Sequence, residues 1–139
     1  MEENDELGFD ELKEDLDAVG TYAKQATYEV IRDRATKLEN YFRNSAPVRT
    51  GKLRGSVVKT QVEVSDQKIK FKVEFKGYNE KGEPFQTIAN TLNRGFAYRN
   101  GNRIIYNSGT HFIDDGVRDI LTGIDEEIEK RFNELAGGE

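Results

Sequence analysis

The sequence predicts an α+β domain: an antiparallel sheet of three to four strands packed against a long N-terminal helix and a C-terminal helix. Three observations predict it. Apolar residues recur every three or four positions from Leu12 to Phe42 and again from Ile113 to Leu135, the period of a helix with one face on a core. Between these stretches, residues 58–76 alternate apolar and charged at a period of two, as strands with one wet face do. The stretch from Arg43 to Val57, RNSAPVRTGKLRGSV, sits where the first pattern gives way to the second and collects Pro47, Gly51 and Gly55.

A chain of 139 residues fits one domain, spanning 1–139, with 1–8 and 136–139 as loose tails. A domain of this size buries roughly two-thirds of its unfolded surface, enough for a single core without covalent staples. The first helix is expected over about residues 9–44, on the stripe Leu12, Leu16, Val19, Ala23, Ala26, Val30, then Ile31, Ala35, Leu38, Phe42. Gly20 marks a possible break, because glycine costs about 1 kcal/mol against alanine inside a helix. Pro47 drives Ala46 to an extended conformation and so ends the helix. Gly51 suits a positive φ in the turn that follows, and Gly55 a bend at the start of a strand.

Val58, Thr60, Val62 and Val64 are expected on the greasy face of the first strand, and Ile69, Phe71, Val73 and Phe75 on that of the second, joined by a turn at Ser65-Asp66-Gln67. Residues 77–83 read as a loop. Pro84 suits a helix start, Phe85, Ile88, Ala89 and Leu92 form an i, i+3, i+4, i+7 stripe, and Gly95 a helix end. Phe96–Arg99 and Arg103–Tyr106 flank Asn100-Gly101, a hairpin turn signal. A last helix begins near Ser108 or Thr110 and carries Ile113, Val117, Ile120, Ile124, Ile128, Phe132 and Leu135, with Gly123 as a kink or split point.

Ala46-Pro47-Val48-Arg49-Thr50-Gly51-Lys52-Leu53-Arg54-Gly55-Ser56 resembles the "AP-x-x-TG-x-LR-x-S" signature of the phage head–tail joining, neck and tail-completion proteins, typified by gene product ten of phage HK-ninety-seven. The resemblance implies a long first helix, the signature, antiparallel strands and a closing helix over nearly the whole chain. It implies a structural role without catalysis or cofactor: a homo-oligomeric ring, six-fold or twelve-fold, at the neck or capping the tail tube. Its implied partners are copies of itself, adjacent neck, connector and tail-tube proteins, and genomic DNA threading the channel without sequence-specific binding, with no membrane. Its place is the virion or a phage-tail-like particle, assembled in the bacterial cytoplasm. The family's "GT" element leads quickly to a proline-rich segment; Gly109-Thr110 stands here without those prolines.

Charge is unevenly placed. Residues 1–19 hold nine acids and one base, residues 20–60 nine bases and three acids, and the remainder fourteen acids and eleven bases, for a net of −5. An acidic head and a basic waist suit head-to-waist contact between copies; a loose acidic tail and a solvated helix face explain the same pattern. The basic residues Arg43, Arg49, Lys52 and Arg54, with the ribbon residues Phe96, Tyr98, Arg99 and Tyr106, are the candidate subunit interface. The rival reading is a small nucleic-acid-binding module using the basic segment 43–59. For Phe96, Tyr98, Tyr106 and Phe112 the alternatives are an interface arm or a core beneath a loop.

Catalysis finds little material. The absence of cysteine excludes disulfides, thiolate metal sites and cysteine nucleophiles and fits a reducing compartment. His111, the one histidine, neighbours Asp114 and Asp115 in a helix start, where carboxylates favour the dipole without any chemistry. Gly77 and Gly82 have phosphate-loop spacing, but Glu83-Pro84 stands where Lys and Ser or Thr are required. The start Met-Glu-Glu-Asn-Asp-Glu is opposite in charge to a secretory signal and reads as cytoplasmic, and no apolar run approaches the roughly 20 residues of a membrane span.

Overall fold

The computed structural model describes residues 11–15, 20–48, 51–65 and 68–137. It is α+β, with a long N-terminal helix, antiparallel strands in two separate sheets, and two helices in tandem at the C-terminal end. In order, the elements are β1 (Glu11–Asp15), α1 (Thr21–Ser45), a one-turn α2 (Lys52–Gly55), β2 (Val57–Val64), β3 (Lys68–Phe75), α3 (Phe85–Arg94), β4 (Gly95–Asn100), β5 (Arg103–Ser108), α4 (Phe112–Leu121) and α5 (Ile124–Ala136).

The long helix is shorter than its periodicity predicts. It begins at Thr21, after Gly20 in an extended conformation, and residues 11–15 lie instead as a strand antiparallel to β3, with Leu12 opposite Phe71. Five residues with leucine at the centre fit a strand as readily as a helix turn, and the sheet edge supplies the backbone partners that decide it. Leu16 and Val19 fall outside the described residues, as do the expected loose ends at 1–8 and 138–139 and the turn residues Asp66 and Gln67.

From Ala26 onward the stripe holds: Ala26, Val30, Ile31, Ala35, Leu38 and Phe42 are buried. They face β3, whose Ile69, Phe71, Val73 and Phe75 are all buried while the residues between them are only partly so. Phe42, Phe75 and Phe112 close the centre as an aromatic trio, with centroids 5.5, 6.1 and 6.0 Å apart, one pair stacked and two edge-to-face. Gly116 of α4 lies against this group, because a Cβ there would stand 2.5 Å from Tyr41 Cδ2 and 3.2 Å from Phe42 Cε1.

On β2 the expected face is wrong. Val57, Lys59 and Gln61 pair with Phe75, Val73 and Phe71 and so share the helix side. Lys59 Nζ donates to Thr36 Oγ1 at 2.7 Å, and Tyr28 Oη donates to Gln61 Oε1 at 3.2 Å. The register shifts between Gln61 and Glu63, so Val62 is the extra residue of a bulge, 48% exposed, and only Val64 beyond it returns to the side of Ile69. A one-residue insertion inverts every side chain on one side of it, which a plain period-two count cannot register.

The last helix is two helices. Gly123, at φ 79°, separates α4 from α5, and Arg34 of α1 holds the break. Its guanidinium donates to the carbonyls of Ile120 and of Thr122 (2.9 Å) and to Glu127 Oε1 (2.8 Å), satisfying the open end of α4 while pinning α5. Farther along, Arg131 Nε donates to Glu29 Oε1 at 2.6 Å. Among the described residues no helix is long and apolar enough to cross a membrane.

Candidate subunit-interface site

The eight candidate interface residues fall in two places, the elbow and the β4–β5 ribbon, apart from Arg49, which lies outside the described residues. At the elbow the cations are engaged within the chain. Arg43 Nη2 donates to Glu39 Oε2 (3.0 Å) and to the Val57 carbonyl (2.9 Å), tying the end of α1 to the start of β2. Arg54 Nε donates to the Ala46 carbonyl at 2.6 Å, and Lys52 Nζ reaches Glu80 Oε2 at 2.8 Å. Ala46 is extended, as Pro47 demands, and Gly51 stands at φ 83°, so the elbow turns where its proline and glycine place it.

Lys52 holds Glu80 well below the usual carboxylate range by hydrogen bond and charge. Glu80 belongs to a loop organised by Asn79, whose Oδ1 accepts from Lys81 N and Glu83 N, both at 2.9 Å. Elbow, loop and α3 enclose a groove of about 430 Å³ with an apolar floor of Pro47, Leu53, Phe85, Ile88 and Leu92 and a charged rim of Lys52, Glu80, Lys81 and Glu83. Sequence reading placed each of these residues in an element but missed that three elements meet around a hollow.

The ribbon is an exposed arm. Gly95 pairs with Ser108 and Asn100 with Arg103, so the two turn residues are Gly101 and Asn102, one later than the Asn-Gly signal suggests. Gly101 has φ 68° while Asn102 does not enter the positive region, the pattern of a type II′ turn. Phe96, Tyr98, Ile104 and Tyr106 are 37, 48, 51 and 78% exposed. Since opposed residues share a face and neighbours alternate, Phe96, Tyr98 and Ile105 lie on one side and Ala97, Ile104 and Tyr106 on the other. Both sides are apolar. Phe112, grouped with these aromatics by sequence, belongs instead to the core. Ile104 was not among the candidates, although two adjacent isoleucines in a hairpin must place one on each face.

Asn93 anchors the arm. It is buried at 7% exposure at the end of α3. Its Oδ1 accepts from Ile113 N (2.9 Å) and Asp114 N (3.2 Å), its Nδ2 donates to Asp114 Oδ2 (3.1 Å), and its carbonyl accepts from His111 N (3.0 Å). The residue before α4, His111, is left-handed at φ 58° and offers no side-chain cap, so Asn93 caps that helix from another element. The two ends of the ribbon are thereby clamped together. A Cβ on Gly109 would lie 2.2 Å from the Asn93 carbonyl oxygen, and one on Gly95 2.6 Å from Gly109 N.

His111 Nδ1 lies 3.7 Å from Asp114 Oδ2, both side chains largely exposed. Among the described residues no group of three or more His, Cys, Asp or Glu side chains is placed to hold a metal ion. Comparison with protein-family models, with curated proteins and with solved structures returns no match.

Proposed function

We propose that this protein is a structural subunit of a tailed phage, prophage or phage-tail-like particle, forming a homo-oligomeric ring at the head–tail neck or capping the tail tube. The observation that carries the reading is the β4–β5 ribbon, apolar on both faces and held at its base by a rigid clamp. A two-stranded ribbon is marginal by itself in water, and one with exposed aromatics on both sides gains its stability from a neighbour. The signature from Ala46 to Ser56 supports the same reading by its position, an elbow between long helix and sheet, as the resembling family has it. The reading takes β1 as a third strand of the first sheet. It makes the partners further copies in a six-fold or twelve-fold ring, then neck, connector and tail-tube proteins, with DNA passing through without sequence-specific contact.

The rival, a nucleic-acid module using segment 43–59, requires Arg43, Arg54 and Lys59 to leave the partners they hold within the chain. Two measurements together test the proposal. Electron microscopy of particles from the cell that encodes the chain, labelled with antibody against it, should mark one end of a tail or the neck. Duplex DNA titrated against the protein through a salt series should show no steep salt-dependent binding. Label elsewhere, or tight binding with a steep slope, overturns the proposal.

A further inference from the structure

An arm that is apolar on both faces is only half covered by a flat surface; a hollow covers both. Among the described residues three concavities stand out. Those on α5 and between α5 and α1 are lined almost wholly by charged side chains, whereas the groove between elbow, 79–83 loop and α3 has an apolar floor. We infer that the β4–β5 ribbon of one copy seats in this groove of the next copy. The inference deepens the ring reading and rests on it.

Charge argues for a second copy as the occupant. Residues 94–110 contain Arg94, Arg99 and Arg103 and no acid, a charge of +3 in a chain whose net is −5, so every other residue together holds −8. The complementary field for the arm is therefore the rest of the same chain. On the groove rim, Glu80 is 84% exposed at its side chain and is paired with the exposed Lys52. An exposed pair of this kind contributes little, and an arginine fork serves a carboxylate at least as well as an ammonium does, so Arg99 or Arg103 of an incoming arm can share Glu80 or Glu83. Arm and groove are different surfaces of one molecule, so their contact is head-to-tail: it closes as a ring when the rotation per copy divides a circle and otherwise runs on as a filament.

The cysteine-free chain makes the contact directly testable. Tyr106→Cys puts one thiol on the arm and Lys81→Cys one on the groove rim, both at exposed positions, so circular dichroism should remain that of the parent. The two variants, one carrying a mass tag, are mixed at high concentration, treated with a short bis-maleimide and resolved by denaturing gel, with micrographs of the same sample. The expected product is the mixed arm-to-groove pair, in excess over same-variant pairs and suppressed when Ile104→Ser is added to the arm variant. Rings without excess mixed product overturn the arm-in-groove contact and leave the ring reading standing. Mixed product from open filaments supports the contact and overturns the ring. Neither product nor rings overturns both.

Discussion

Replacing Asn93 with alanine removes the clamp beneath the arm. Two N–H groups lose their acceptor, Ile113 N in a buried position and Asp114 N beside it, and Asp114 Oδ2 loses a donor. An orphaned buried donor costs about 1–3 kcal/mol, and loss of an asparagine cap about 0.5–2 kcal/mol by the same bonds counted from the helix side. The two figures describe one set of contacts, so the expected loss is about 2 kcal/mol, a sizeable part of the ~5–15 kcal/mol that holds a domain together. Urea unfolding should show a lower midpoint at unchanged slope, since the exposed surface is the same. Asn93→Asp keeps the acceptor oxygen but sets a second carboxylate about 3 Å from Asp114, within the range where like charges repel strongly. Its loss should be intermediate at neutral pH and shrink on acidification, as a shared proton restores the donor. If Asn93→Ala shifts stability by less than about 0.5 kcal/mol, the usual scatter of surface changes, the clamp is not what holds α4 and the ribbon base together.

Gly116→Ala gains about 1 kcal/mol of helix propensity but drives a methyl within 2.5 Å of the Tyr41 ring, against overpacking of about 1–3 kcal/mol; thermal unfolding should move down. Arg34→Ala leaves the end of α4 uncapped and should release α5, seen as faster amide exchange over 124–136 than over α1; Arg34→Lys should rescue little, because one ammonium cannot serve two carbonyls and Glu127 in the same fork. Hydrogen bonds from Arg131 and then Gln25 hold Glu29 below its ordinary pKa. The contribution to α5 docking is therefore complete above the unfolded glutamate value of about 4.3 and fades as pH falls through the lower folded value; a Glu29→Gln chain should lose that part of its acid sensitivity.

What the sequence disclosed was whatever obeys a period. The buried stripe from Ala26 to Phe42, the face of β3 and the stripe of α3 could all be counted from the chain, because burial repeats with the backbone. What it concealed was non-local. Arg43 and Arg54 read as surface charge but spend their hydrogen bonds on carbonyls 14 and 8 residues away. Asn93 looks like an ordinary polar residue of a helix end, and its role appears only when Ile113, twenty residues on, is brought beside it. The bulge at Val62 reversed the expected face of β2, and residues 11–15 followed a sheet edge rather than a helical spacing. Of the candidate site, the ribbon was legible from its turn signal and aromatics, whereas the groove, built from elbow, loop and helix, had no linear signature.

The central claim is that the arm exists to meet another copy, and the most direct measurement compares sedimentation of the parent chain with that of the Ile104→Ser, Tyr106→Ser double variant over a concentration series. Both positions are exposed, so the variant should unfold at the parent's midpoint within about 0.5 kcal/mol. The account requires the parent to sediment as a closed oligomer of fixed mass and the variant to remain monomeric at the same concentrations. A parent and variant of the same assembly state would contradict it.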